Sequence, residues 1–196
     1  MILGITGGTG CGKTTLLNIL QEQGALILDR DEIYHELLKH DASLLAAIGQ
    51  RFPGTVENGV LQRKKLGTIV FSDKNALLDL NKITHTAVKQ EVLRRLSRKP
   101  ELAAIDAIAL FEGGLVELCD VTVAVTAPVE DRVCRLMRRD GIPESYARSR
   151  IAAQPGEDWF REKCGFVLEN TGSESQFREK CLAFLQEIGI MNLGKL

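Results

Sequence analysis

Apolar residues in this chain form short unbroken runs, separated by stretches in which they recur every three or four positions. Ile2-Leu3-Gly4-Ile5-Thr6 is the first run, and Thr14 to Leu20 follows with a helical pattern. Ala25-Leu26-Ile27-Leu28, Ala103 to Leu110, Val121 to Val125 and Gly165 to Glu169 are further runs. Short aliphatic runs flanked by helical patterns predict buried strands of a parallel sheet. The predicted fold class is α/β, with a parallel sheet of about five strands and helices on both faces. Such sheets bind ligands at the carboxyl ends of their strands. Asp29, Asp31, Glu112 and Asn170 fall at or just after those ends.

Two stretches break the alternation. Between about residues 33 and 99 no strand is predicted, and Leu77, Leu80, Ile83, Val88 and Val92 recur at roughly helical spacing. This reads as a helical insertion between the second and third strands. From Arg132 to Lys163 the chain is basic and is punctuated by Gly141, Pro143, Pro155 and Gly156, which predicts a mobile lid. The expected organisation is a single domain over residues 1–196. Its core covers about 1–32 and 100–196, the insertion about 33–99 and the lid about 138–158.

The turn after the first strand brings in chemistry. Gly7-Gly8-Thr9-Gly10-Cys11-Gly12-Lys13-Thr14 is a complete G-x-x-x-x-G-K-[ST] phosphate-binding loop, set between a strand and a helix as the motif requires. Glycines let backbone N–H groups approach phosphate oxygens without a Cβ in the way. The helix N-terminus adds orphan N–H groups and positive dipole character. Gly8, Thr9, Gly10, Cys11, Gly12, Lys13, Thr14 and Thr15 are therefore candidate ATP-binding residues. Lys13 can reach the β- and γ-phosphates, and the Thr14 hydroxyl can ligate Mg²⁺.

Composition narrows the classes. The chain has 196 residues, 44% hydrophobic and 26% charged, with a net charge of −1, so no overall field recruits nucleic acid or anionic membrane. No apolar run is long enough to span a bilayer, and no secretory leader is expected ahead of the first strand. The five cysteines lack metal spacing and are expected as free thiols in a reducing cytoplasm, with Cys11 a small residue filling its loop position. Small-molecule partners are expected, with no nucleic acid and no membrane. A monomer is the default, and a small homo-oligomer is the alternative.

A second layer of residues surrounds the loop motif. Asp29-Arg30-Asp31 follows the second strand. One carboxylate could take the proton of an acceptor hydroxyl and the other assist Mg²⁺, although the same pattern fits a strand end that caps the next helix. Asp106 lies where a strand-end acid could serve the metal, and Glu112 follows shortly after. Arg135 and Arg139 share a helix face at i, i+4, where phosphates would relieve their repulsion. An arginine arriving with a lid is worth roughly 10³–10⁵ in rate in phosphoryl transfer. The alternative for these arginines is a solvated face balanced by Asp131, Asp140 and Glu144.

With these residues in view, the chain resembles the dephospho-coenzyme A kinase family from about Leu3 to Phe184. The opening loop looks like the family's, with Cys11 and Thr14 where Ser is usual. Leu28-Asp29-Arg30-Asp31 looks like its D-x-D element. Gly59-Val60-Leu61-Gln62-Arg63-Lys64-Lys65-Leu66 looks like G-x-L-x-R-x-x-L, with Val70-Phe71 following. Leu80-Asn81-Lys82-Ile83-Thr84-His85 resembles L-N-x-I-x-H-P, with Thr86 in place of the proline. Asp106 to Glu112 resembles D-x-P-L-L-F-E, with Ile108 and Ala109 replacing proline-leucine. Arg139-Asp140-Gly141 and Arg150 to Gln154 resemble the lid.

The resemblance implies a nucleotide-kinase-like P-loop fold that uses ATP and Mg²⁺ to phosphorylate the ribose 3′-hydroxyl of dephospho-coenzyme A. It implies Asp31, Lys13 and Arg139 as catalytic residues. It adds Arg135 and Asn170 to the ATP site, and Asp29, Asp31, Arg63, His85 and Glu112 to the acceptor site. Thr14 is the implied metal ligand, with Asp106 as a second candidate. The alternatives are another small-molecule kinase of this fold, or a nucleotide switch. A GTP switch would carry N-K-x-D, whereas Asn81-Lys82 continues into Ile83-Thr84.

Overall fold

The computed structural model describes residues 1–190. Along the chain, β1 (Ile2–Thr6) leads to α1 (Lys13–Glu22), β2 (Leu26–Asp29), α2 (Arg30–His40) and α3 (Ala42–Arg51). A hairpin of β3 (Val56–Glu57) and β4 (Val60–Leu61) precedes α4 (Arg63–Ser72) and α5 (Lys74–Leu96). Then come β5 (Ala103–Asp106), a 3₁₀ turn (Val116–Leu118), β6 (Val121–Thr126), α6 (Val129–Asp140), α7 (Glu144–Ala152), α8 (Glu157–Lys163), β7 (Phe166–Glu169) and α9 (Glu174–Glu187). The chain divides into two compact units. Among the described residues, one holds 1–27, 100–110 and 116–190; the other holds 28–99 and 111–115.

The sheet has the order β2-β5-β1-β6-β7, and all of its strands but the end of β2 belong to the first unit. β1 pairs in parallel with β5 and with β6, and β6 pairs in parallel with β7. The strands are continuous apolar runs because helices flank the sheet and leave no face for water. Leu3, Ile5, Val123 and Val125 pack with Leu16, Ile19 and Leu20 of α1 and with Phe177, Phe184 and Leu185 of α9. α9 starts from a capping box, in which the Ser173 side chain and Gln176 satisfy each other's backbone N–H groups.

The third predicted run stops early. β5 ends at Asp106 rather than continuing to Leu110. Its neighbour β1 ends at Thr6, where the chain turns into the phosphate loop. After Ala107 donates to the Ile5 carbonyl no ladder remains, and the following residues turn instead.

The second unit is mostly helical. Leu44, Ile48, Phe52, Leu66 and Val70 form its core. Asp41 caps α3 by accepting from the Ser43 and Leu44 N–H groups, and Asp73 caps α5 through Asn75. The hairpin is an addition to the sequence-based picture, which placed no strand here. Val56 pairs with Leu61 and Glu57 with Val60 across a two-residue turn. Asn58 and Gly59, at φ 51° and 74°, supply the left-handed pair that such a turn needs. α5 runs unbroken through Thr86, whose hydroxyl donates to the Lys82 carbonyl at 2.8 Å. A proline at that position would remove a helix hydrogen bond and kink the helix.

Phe177 is 1% exposed against the sheet. Phe177→Ala should destabilise the protein by about 3–5 kcal/mol, read from the midpoint of urea unfolding. A loss below about 1 kcal/mol would mean that this face of the sheet packs loosely.

Candidate functional site

The phosphate loop is held by three side chains of its own unit. Arg132 lies buried on α6, and its Nε donates to the Thr9 carbonyl at 2.9 Å. Arg135, one turn further on, donates through Nη1 to the Gly10 carbonyl at 3.1 Å and the Cys11 carbonyl at 3.4 Å. Asn170, just after β7, donates through Nδ2 to the Cys11 carbonyl at 2.8 Å. These bonds hold the carbonyls of Thr9, Gly10 and Cys11. The first-turn N–H groups of α1, at Lys13 and Thr14, have no carbonyl partner within the helix. They are donors suited to an anion.

The glycines are required by close approach. A Cβ on Gly7 would lie 2.1 Å from the Val125 carbonyl oxygen. On Gly12 it would lie 2.3 Å from Asn170 Nδ2, and Gly12 also sits at φ +95° as the residue entering α1. The tight fit that fixes the loop therefore excludes any side chain at these points.

The reactive groups of this unit gather beside the loop. Lys13 Nζ donates to the Gly7 carbonyl at 3.1 Å and lies 3.8 Å from Asp106 Oδ1. Asp106 stands at the carboxyl end of β5, where its neighbour in the ladder is Ile5. The Thr14 side chain is exposed at the start of α1. Gln154 accepts from the Thr9 N–H at 2.8 Å and from Arg132 Nη2 at 3.1 Å, which joins the segment after α7 to the loop. Cys11 points into the hydrophobic core, and burial raises its thiol pKa above the ordinary value. It is a packing residue.

Arg139 is not directed at the loop. Its side chain is 61% exposed and forks onto Asp140, at 2.6 and 3.0 Å. Arg150 reaches the same carboxylate at 2.7 Å. Chiefly through its hydrogen bond from Arg139, the Asp140 carboxyl is held at about 2. α7 packs on α6 through Val133, Leu136, Ala147 and Ile151.

The second unit holds the candidate acceptor residues. Asp29 accepts from the Asp31 and Glu32 N–H groups at 2.8 and 3.1 Å, so it caps α2 as the alternative reading of this element allowed. Asp31 is 68% exposed and pairs with Arg30 at 3.0 Å. His85 Nδ1 lies 3.2 Å from the Glu112 carbonyl. A carbonyl only accepts, so Nδ1 carries the proton when the ring is neutral and Nε2 offers a lone pair. Burial, and then the positive charge of Arg30, hold the His85 pKa below 6.5. Burial raises the Tyr34 phenol, while Arg63 and Arg30 pull it the other way. Arg30 and Arg63 thus both act on this phenol, and Arg30 is itself paired with Asp31.

The family model described as dephospho-CoA kinase (CoaE) matches residues 1–176. The chain belongs to the dephospho-CoA kinase family. It is 34% identical to the dephospho-CoA kinase of Syntrophotalea carbinolica over 194 residues, covering 96% of this chain and 92% of that one. Among solved structures, a Thermus thermophilus protein superposes with a TM-score of 0.80 at 33% identity, covering 96% and 97% of the two chains. The dephospho-CoA kinase of Campylobacter jejuni superposes at 0.68 with 27% identity, covering 95% and 96%. A shikimate kinase of Bacteroides thetaiotaomicron, 13% identical over 96% of this chain and 98% of its own, superposes at 0.59 and shares the fold alone.

Sequence reasoning missed four residues here. Arg132 precedes Arg135 by three positions, so a helix puts them on neighbouring surface, and that signal was readable. Arg30 sat between two aspartates that drew the attention. No spacing rule brings Gln154 to Thr9 or Tyr34 to Arg63.

His85 yields a test of pH dependence. A folded-state pKa below the unfolded value gives a contribution that is complete above pH 6.5 and is lost as pH falls through the depressed value. The Tm of the wild type should therefore fall faster than that of His85→Asn as pH drops below 6.5. Parallel curves would contradict the burial of a neutral ring.

Proposed function

We propose that the protein transfers the γ-phosphoryl group of ATP to the ribose 3′-hydroxyl of dephospho-coenzyme A. The products would be coenzyme A and ADP, in the last step of coenzyme A synthesis. The single observation that carries this reading is the complete phosphate loop held by Arg132, Arg135 and Asn170, in a chain of this family. The five free thiols suit a cytoplasmic setting.

In this reading residues 8–15 cradle the phosphates of ATP, and Arg135 and Asn170 serve ATP by holding the loop's carbonyls. Lys13 lies beside the loop to neutralise the β- and γ-phosphates. Thr14 and Asp106 would hold Mg²⁺. One hydroxyl and one carboxylate near the loop fit an ion that takes its other ligands from phosphate oxygens and water. Among the described residues no cluster of three or more acidic, His or Cys side chains offers a protein cage instead. When bound, the ion offsets phosphate charge and fixes the phosphate geometry.

The acceptor would be held by Arg63, His85, Glu112 and Asp29, and Asp31 would orient its 3′-hydroxyl. The hydroxyl oxygen forms a bond to the γ-phosphorus as the bond to the bridging oxygen breaks. ADP leaves with that electron pair, and Asp31 takes the hydroxyl proton or passes it to water. A carboxylate is a weak base for an alcohol, so orientation and charge neutralisation do most of the work. Arg139 joins by exchanging the Asp140 carboxylate for the moving phosphoryl group.

The test follows ADP and coenzyme A by mass with ATP, Mg²⁺ and dephospho-coenzyme A, beside a panel of adenosine and nucleoside monophosphates. Coenzyme A formed only from dephospho-coenzyme A supports the reading. A phosphorylated nucleoside or nucleotide instead would overturn the acceptor. Lys13→Ala should abolish transfer. Asp31→Asn should bind ATP normally and lose about 10²-fold or more in kcat; near-normal turnover would remove Asp31 from its role. Arg139→Ala should lower kcat more than ATP affinity, and equal losses would assign it to ground-state binding.

A further inference from the structure

The outer face of α4 carries two features that its own unit does not use for packing. Phe71 is 86% exposed, while the other phenylalanines are buried or half-buried. Gly67 sits in the middle of the same helix, where glycine is unfavourable relative to alanine. The two are in register: a Cβ on Gly67 would lie 3.5 Å from the Phe71 ring. The ring therefore lies back over bare backbone instead of turning inward with Leu66 and Val70.

Arg63 stands one turn before Gly67, and Phe71 one turn after it. Positions i, i+4 and i+8 share a helix face. That face thus carries a guanidinium, a flat strip of backbone and an open aromatic ring in line. Arg63 also acts on the Tyr34 phenol together with Arg30, so its charge lies near that ring. Lys64, Lys65 and Thr68 around it are polar and exposed. The other exposed apolar residue of α4, Ile69, lies two positions from Phe71 and so on another side of the helix.

We propose that Phe71 is the stacking platform for the purine of the acceptor nucleotide, with Arg63 serving its diphosphate. A planar base at one end of a ligand and phosphates along it complement a ring and a guanidinium spaced along one helix face. The proposal rests on the function proposed above and deepens it, because dephospho-coenzyme A carries both groups.

The experiment measures affinity for dephospho-coenzyme A by calorimetry, KM for both substrates and kcat, for wild type, Phe71→Ala, Phe71→Leu and Phe71→Trp. Circular dichroism and sedimentation run alongside. Phe71→Ala should weaken acceptor binding about 5- to 150-fold, the range for loss of one base–aromatic stack, and leave KM for ATP unchanged. Phe71→Trp should retain affinity and Phe71→Leu should not, since a stack needs a π-face. Acceptor affinity within twofold of wild type in Phe71→Ala would overturn the proposal. An equal loss for ATP, or a change in sedimentation showing a self-association face, would overturn it as well. If the wild type itself neither bound nor phosphorylated dephospho-coenzyme A, the function would fall and the stacking role with it. A wild type that makes coenzyme A beside an unaffected Phe71→Ala would remove only the stack.

Discussion

The shape of the phosphate loop depends on a buried guanidinium. Arg132 is 5% exposed and spends its hydrogen bonds on the Thr9 carbonyl and on Gln154. A buried charge is costly unless it is fully engaged, so this one ties α6 and the segment after α7 to the loop. Arg135 and Asn170 extend the same logic to Gly10 and Cys11. Backbone carbonyls of the loop are held, and the N–H groups of Lys13 and Thr14 in the first turn of α1 are suited to an anion. The glycines follow as a consequence. A Cβ on Gly8 would lie 2.2 Å from Arg132 Nη2, so the clamp leaves no room for one.

Preorganisation of this kind is what phosphoryl transfer asks of a protein. Little covalent chemistry falls to side chains, and positioning with charge neutralisation supplies most of the rate. The two arginines on α6 nearest the loop are spent on structure. Arg139 pairs with Asp140, which it shares with Arg150. On α6, Arg132 and Arg135 thus serve the backbone, and Arg139 is on a carboxylate and is proposed to serve the moving phosphoryl group.

The strands, their parallel pairing and the loop were legible because buried strands are continuous apolar runs and the loop motif has fixed positions. The hairpin at Val56 to Leu61 escaped because two-residue strands are too short to show alternation, although Asn58-Gly59 marked its turn. The third strand read too long because its end is set by its neighbour, where β1 gives way to the loop at Gly7. At the site, Lys13, Thr14 and the loop glycines stood in the motif. The clamp did not, since Arg132 and Gln154 meet Thr9 across 123 and 145 residues of chain. Nor could sequence show that Asp29 caps a helix while its neighbour Asp31 stays exposed. Both fit one D-x-D pattern, and local backbone geometry separates them.

The most direct test of this account is the ATP affinity of Arg132→Lys, measured by calorimetry with Tm recorded alongside. Lysine keeps the charge but lacks the fork that reaches the Thr9 carbonyl and Gln154 together. If the clamp preorganises the loop, affinity should fall by about tenfold or more, the equivalent of about 1.4 kcal/mol, while the protein stays folded. A folded Arg132→Lys that binds ATP as the wild type does would contradict it.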